Sequence, residues 1–103
     1  MRIGDQERAD RLGLPFAGEI TFYRDKMEFK TQVLTENISA TGGYFVANTL
    51  LKTGDLVKVQ LYWHPRKEPE IRFSAVGKVS RVDPLLKKIW GVAVGFEDPP
   101  EWQ

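Results

Sequence analysis

The chain has 103 residues, 42% of them hydrophobic and 28% charged, and its 15 basic and 14 acidic residues leave a formal net charge of +1. This length suits one domain with a modest core, and the near balance of charge argues against general binding to nucleic acid polymers. The absence of cysteine excludes disulfide bonds, thiolate catalysis and cysteine-based zinc sites.

The first thirteen residues form a charged, polar segment without hydrophobic periodicity, and this segment contains Arg8 and Arg11. We therefore predict a flexible N-terminal arm over residues 1–13. The segment lacks the apolar core of a signal peptide, and no stretch of the chain has the length and hydrophobicity of a membrane span. A cytoplasmic protein without membrane insertion is expected.

Short segments of alternating hydrophobicity follow from residue 14 onward, separated by Gly, Pro, Asn and Asp. The predicted strands cover residues 14–24, 28–36, 44–47, 55–63, 70–82 and 89–97. Residues 83–88 favour a hairpin loop over a helical turn, and Pro99 and Pro100 predict that no further strand forms. The pattern indicates an all-β fold in which an antiparallel sheet curls into a barrel. The barrel should occupy residues 14–98, followed by a tail at 99–103.

Candidate catalytic groups are few. The one histidine, His64, lies in a segment rich in charge and proline, where a solvated loop side chain is the simplest interpretation. Aspartate and glutamate are scattered, and the sequence has no phosphate loop, dinucleotide fingerprint or metal-binding cluster. We predict that the protein is not an enzyme and has no catalytic residues, metal site or cofactor.

A barrel that binds single-stranded nucleic acid is one alternative. Such a barrel needs exposed aromatic side chains interleaved with cations on a strand face, and Tyr62, Trp63 and Arg72 could serve. The other aromatic residues fall at core positions and the net charge is small, so this alternative is less favoured.

The segment "NISATGG" contains Asn37, Ser39 and Gly42 in the spacing N-x-S-x-x-G. This spacing resembles the [D/N]-x-S-x-x-G motif of PilZ domains, which bind the bacterial second messenger cyclic di-GMP. The upstream segment "ERADRLGLPF" takes the place of the family's arginine-containing segment, and "GKVSRVDPLLKKIWGVAVGFED" is similar to its terminal pattern. The resemblance spans nearly the whole chain and implies a six-stranded PilZ-like β-barrel.

The resemblance also implies a function and a site. The protein would sense cyclic di-GMP and relay its level to a protein partner in motility, biofilm formation or secretion. The arginine donor fork suits both the O6 and N7 atoms of guanine and a phosphate, and glycine lets the backbone approach a ligand closely. The implied ligand-binding residues are Arg8, Arg11, Asn37, Ser39, Gly42 and Gly43.

Two observations keep other interpretations open. Asn and Ser also cap turns and Gly supplies positive φ, so "NISATGG" would form a turn without any ligand. The family's R-x-x-x-R segment is here R-x-x-R, with Glu7 at the first arginine position if Arg11 matches the second, which makes the role of Arg8 conditional. We therefore expect weak or moderate binding or, as the alternative, a degenerate PilZ domain that acts as a protein-interaction module. Arg81, in "KVSRV", could line the site or face solvent, and the solvent-facing interpretation is favoured.

Overall fold

A computed structural model describes residues 17–63, 70–97 and 101–102, and in this part of the chain every regular element is a β-strand. The strands are β1 (Ala17–Arg24), β2 (Met27–Ile38), β3 (Gly42–Ala47), β4 (Leu56–Trp63), β5 (Glu70–Leu86), β6 (Ile89–Phe96) and β7 (Glu101–Trp102). The antiparallel order β4-β1-β2-β3-β6-β5 is closed by pairing of β5 with β4. The predicted class, an all-β six-stranded antiparallel barrel, is confirmed, whereas the arm at 1–13 and His64 lie outside the described residues.

The core lies inside this barrel and follows the alternation in the sequence. On β4, Val57, Val59 and Leu61 point inward and are buried, whereas Leu56 and Lys58 are exposed. The largest buried side chains are Phe45 and Phe73, and burying side chains of this size is the main favourable contribution to folding. Because the inner face is filled, any binding site formed by the strands must lie on the outer face or at the rim.

Two tight hairpins connect neighbouring strands. Asp25 and Lys26 join β1 to β2 with φ values of 51° and 65°, the left-handed conformation that two-residue hairpin turns require. The second hairpin, between β5 and β6, turns at residues 87–88. The prediction of a hairpin loop over residues 83–88 was therefore too long, because β5 continues to Leu86. A register shift between Pro84 and Leu86 accommodates the proline within the strand.

The prediction that no strand follows Pro99 and Pro100 was wrong. Strand β7 pairs with β5, with Trp102 opposite Phe73 and Glu101 opposite Ser74. A proline removes only its own backbone donor. Because β7 begins after both prolines, Glu101 and Trp102 can still pair with β5.

Candidate ligand-binding site

An open cavity of about 420 Å³ lies beside the turn between β2 and β3. It is lined by Asn37, Ser39, Thr41, Gly42, Gly43, Tyr44, Arg81 and Ala93. Four of the six ligand-binding residues expected from the sequence thus surround one cavity. The other two, Arg8 and Arg11, lie outside the described residues.

A row of paired residues crosses four strands on the outer face of the barrel. Asn37 on β2 faces Tyr44 on β3, Tyr44 faces Ala93 on β6, and Ala93 faces Arg81 on β5. With neighbouring strands about 4.8 Å apart, the row spans about 14 Å. We call these four residues the outer row. It gives the cavity a rigid sheet as its base, with a polar side chain at each end.

A β-bulge lies at each end of the outer row. The register shifts between Thr35 and Asn37 on β2 and between Val79 and Arg81 on β5. Thr35 and Val79 are both buried, so uninterrupted alternation would direct Asn37 and Arg81 into the core as well. One extra residue in each strand turns these two polar side chains outward, a role that bulges often have near functional sites.

Ser39 shapes the turn that borders the cavity. Its backbone N–H donates a 2.8 Å hydrogen bond to the carbonyl of Gly42. Its Oγ accepts a hydrogen bond from the N–H of Thr41 at 3.3 Å and lies 3.2 Å from the carbonyl oxygen of Gly42. The side chain therefore caps the turn, as the ligand-free interpretation of the motif expects, and its exposed hydroxyl still borders the cavity.

Gly42 and Gly43 serve packing rather than turn conformation. In the described chain, positive φ among glycines occurs at Gly54 alone, so the expectation that the motif's glycines supply positive φ was wrong. A Cβ on Gly42 would lie 2.5 Å from the carbonyl oxygen of Val94, and one on Gly43 would lie 2.8 Å from the ring of Phe45. The close approach of these neighbouring groups therefore requires glycine at both positions.

Tyr44, Arg81 and Asp83 form a hydrogen-bonded cluster at one side of the cavity. The hydroxyl of Tyr44 donates to Oδ2 of Asp83 at 2.9 Å. Nε of Arg81 lies 3.1 Å from Oδ1 and 3.0 Å from Oδ2 of the same carboxylate. The guanidinium carbon of Arg81 stands 5.7 Å from the centre of the Tyr44 ring, within the range of a cation–π contact.

The cluster shifts the protonation equilibria of its members. The hydrogen bonds from Tyr44 and then Arg81 lower the pKa of Asp83. The hydrogen bond to Asp83 raises the pKa of Tyr44, with a smaller contribution from desolvation, and the same carboxylate raises the pKa of Arg81. At neutral pH the cluster therefore holds a carboxylate, a guanidinium and a protonated phenol.

The position of Arg81 was only partly expected. Its side chain is 63% exposed, in agreement with the favoured expectation that it faces solvent, and Arg81 also lines the cavity, which was the less favoured alternative. Tyr44 and Asp83 were not singled out by the sequence. One sequence feature could have indicated that Arg81 lies on the outer face. The adjacent polar residues Ser80 and Arg81 interrupt the alternation of β5 and mark the bulge.

Of the three residues considered for a nucleic-acid strand face, the structure describes the side chain of Tyr62 alone. Tyr62 is half-buried, and its pKa is raised by desolvation and by Glu19. The side chains of Trp63 and Arg72 lie outside the described part of the chain.

Among residues 17–63, 70–97 and 101–102, no group of three or more His, Cys, Asp or Glu side chains could hold a metal ion. The same residues contain no helix that could cross a membrane. Comparisons with protein-family models, with curated proteins and with solved structures each found no match. The structure defines the protein as a closed antiparallel β-barrel with a polar cavity on its outer face.

Proposed function

We propose that the protein is a receptor domain for cyclic di-GMP and that the nucleotide binds in the cavity between the Ser39 turn and Arg81. The observation that carries this proposal is the convergence of Asn37, Ser39, Gly42 and Gly43 on one cavity. These residues were selected from the motif alone, and the cavity adds a guanidinium to them. In the cytoplasm the bound state would be recognised by a protein partner.

The chemistry of the cavity matches the ligand class. Cyclic di-GMP presents two guanines and two phosphates, which are rich in hydrogen-bond acceptors. Asn37 offers an amide, Ser39 and Thr41 offer hydroxyls, and Arg81 offers guanidinium donors. A volume of about 420 Å³ lies within the range of small-molecule sites, roughly 300–1,000 Å³.

A second cation lies beside the outer row. Lys78 faces Gly95 across β5 and β6, and Gly95 faces Gly42. This second row lies about 7 Å along the strands from Ala93, because same-face residues are two positions apart. Lys78 is exposed, so its ammonium group is available to a phosphate at the edge of the cavity.

The two arginines of the N-terminal segment belong to the proposal as predictions. Because the cavity is open, the strands would contact a bound ligand from one side and leave its other side exposed to solvent. Arg11, and conditionally Arg8, would add guanidinium donors from that side. Ordering a segment on binding carries an entropic cost that these contacts must offset.

Isothermal titration calorimetry with cyclic di-GMP tests the proposal. We expect saturable binding in a one-site isotherm, with affinity lowered at least about tenfold by Arg81→Ala, since a lost bidentate contact has this order of effect. Lys58→Ala removes an exposed cation from the outer face of β4, outside the cavity lining, and should leave the affinity within about twofold. Absence of binding at millimolar nucleotide would reject the receptor function and favour the protein-interaction module.

A further inference from the structure

The arrangement of Arg81 and Asp83 suggests how the site distinguishes nucleobases. Resting on the proposed function, we propose that Arg81 recognises the edge of a guanine base and that Asp83 acts as its positioning residue. Asp83 would direct the guanidinium into the cavity and compensate its charge. A neutral pair of acceptors would then be preferred over a phosphate at this position.

The contacts with Asp83 leave the two terminal nitrogens of Arg81 directed away from that carboxylate. Both contacts with Asp83 are made by Nε. Among the described residues, the contacts of Arg81 with Asp83 involve neither of its two terminal nitrogens, and a weaker hydrogen bond with Tyr44 also contributes to the raised pKa of Arg81. The two terminal nitrogens form a planar fork that matches O6 and N7 of guanine. Adenine presents an amino group in place of O6, so a donor of the arginine would face a donor of the base and no hydrogen bond would form there.

The charge of the pair favours a base over a phosphate. Nε of Arg81 lies 3.0 Å from an oxygen of Asp83, so a ligand in the cavity meets a compensated ion pair. Coulomb attraction for a phosphate is weakened in such a pair, whereas directional hydrogen bonds to neutral acceptors remain. Lys78 has a different position, on the neighbouring row and exposed to solvent. We assign phosphate attraction to Lys78 and base recognition to Arg81.

Tyr44 holds this arrangement in place. Its hydroxyl donates to Oδ2 of Asp83, and its ring lies beside the guanidinium. The side chains of Arg81 and Asp83 are 63% and 36% exposed, and ion pairs this exposed contribute little to stability. The cluster can therefore be altered without unfolding the barrel, which makes base selectivity separable from folding.

The first test compares affinities for cyclic di-GMP and cyclic di-AMP by calorimetry. The unmodified protein should prefer the guanine nucleotide by about ten- to one-hundredfold. Arg81→Lys keeps the charge without the fork and should reduce this preference to within about threefold. Asp83→Asn should reduce the preference for the guanine nucleotide several-fold, because cyclic di-AMP binding should improve relative to cyclic di-GMP binding. Lys78→Ala is the control and should weaken both nucleotides equally. A preference unchanged by Arg81→Lys would overturn the inference.

The second test separates this inference from the proposed function. The Nε–H resonance of Arg81 is followed by NMR while GMP, AMP or inorganic phosphate is added in separate titrations at millimolar concentration. GMP should shift this resonance at least several-fold more than AMP or phosphate does. That result together with absent cyclic di-GMP binding by calorimetry would reject the receptor function and retain base recognition. Equal shifts with all three probes, or no shift with GMP, would overturn base recognition itself.

Discussion

The ring of Tyr44 lies directly over Gly91, in the space that any side chain at position 91 would need. Tyr44 is on β3 opposite Ala93, and Gly91 is two residues earlier on β6, opposite Val46. A Cβ on Gly91 would collide with Cζ and the hydroxyl of Tyr44. The missing side chain lets the ring extend across β6 to reach Asp83 on β5. One glycine outside the motif thus permits the cluster that organises Arg81.

Gly91→Ala should displace the Tyr44 ring and break its hydrogen bond to Asp83. We expect cyclic di-GMP affinity to fall several-fold and the pKa of Tyr44 to move toward its ordinary value, with little change in unfolding, because the displaced atoms are the end of a side chain. Calorimetry and tyrosine NMR measure the two effects. Gly95→Ala is the matched control for the pKa of Tyr44, since a Cβ there meets nothing within 4 Å, and Lys58→Ala is the control for affinity. An unchanged pKa of Tyr44 in Gly91→Ala, or equal losses of affinity in Gly91→Ala and Lys58→Ala, would contradict this account.

Thr35→Val should stabilise the barrel. Thr35 is 1% exposed, and its hydroxyl has no hydrogen-bond partner among the described residues. Replacing an unsatisfied buried hydroxyl by a methyl group should raise the free energy of unfolding by about 1 kcal/mol. Urea unfolding measures the change.

Thr31→Val is the matched control for that substitution. The hydroxyl of Thr31 donates to Thr49 at 2.9 Å, so its removal should lower the free energy of unfolding by about 1 kcal/mol. The two threonines lie on the same strand and both are buried. Destabilisation by Thr35→Val of the same size would show that its hydroxyl has a partner in solution.

The Tyr44 and Asp83 pair should add a pH dependence to stability in two windows, and its size should be small because the side chain of Asp83 is 36% exposed. The pKa of Tyr44 is raised, so its contribution is complete below the ordinary tyrosine value near 10 and is lost as pH rises through the higher folded value. The pKa of Asp83 is lowered, so its contribution is complete above the ordinary aspartate value near 4 and is lost as pH falls through the lower folded value.

Tyrosine NMR with a ¹³C label at the ring resolves the alkaline window. Asp83→Asn removes the carboxylate that is the main cause of the shift and should lower the pKa of Tyr44. The pKa of Tyr62, which is raised by desolvation and Glu19, should not respond and serves as the internal reference. If the Tyr44 titration is the same in both proteins, the hydrogen bond to Asp83 is not formed in solution.

The N-terminal segment provides a prediction that depends on the sequence alone. Arg11→Ala should abolish cyclic di-GMP binding or weaken it by at least about tenfold, and Glu7→Arg should strengthen binding by restoring the R-x-x-x-R spacing. Calorimetry measures both. Arg8→Ala is informative beside them, because the role of Arg8 is conditional on local geometry. Unchanged affinity in Arg11→Ala would remove this segment from the site.

The alternation of the sequence was sufficient to predict the barrel, because period-two hydrophobicity follows directly from strand geometry. Alternation sets Val57, Val59 and Leu61 on one face of β4, and all three are buried. The local motif was also sufficient to predict that Asn37, Ser39, Gly42 and Gly43 lie together, since residues so close in sequence share one turn. The full extent of β5 was missed because a bulge allows a strand to continue through Pro84.

The far side of the cavity could not be predicted in the same way. Arg81 and Asn37 are 44 positions apart in the sequence, and only the register of four strands places them at the two ends of one row. Alternation from Val79 would have placed Arg81 inside the barrel, and only the bulge turns it outward. Tyr44 reaches Asp83 because Gly91 lacks a side chain, a three-dimensional condition that a pattern along one strand does not express.

The most direct measurement is a two-dimensional ¹H–¹⁵N NMR titration of the full chain with cyclic di-GMP. The account predicts saturable shifts of the backbone amides of Ser39, Thr41, Gly42, Gly43 and Ala93, with much smaller shifts at Lys58 on the outer face of β4. Amides that stay unshifted around the cavity at millimolar nucleotide, or shifts confined to other parts of the barrel, would contradict it.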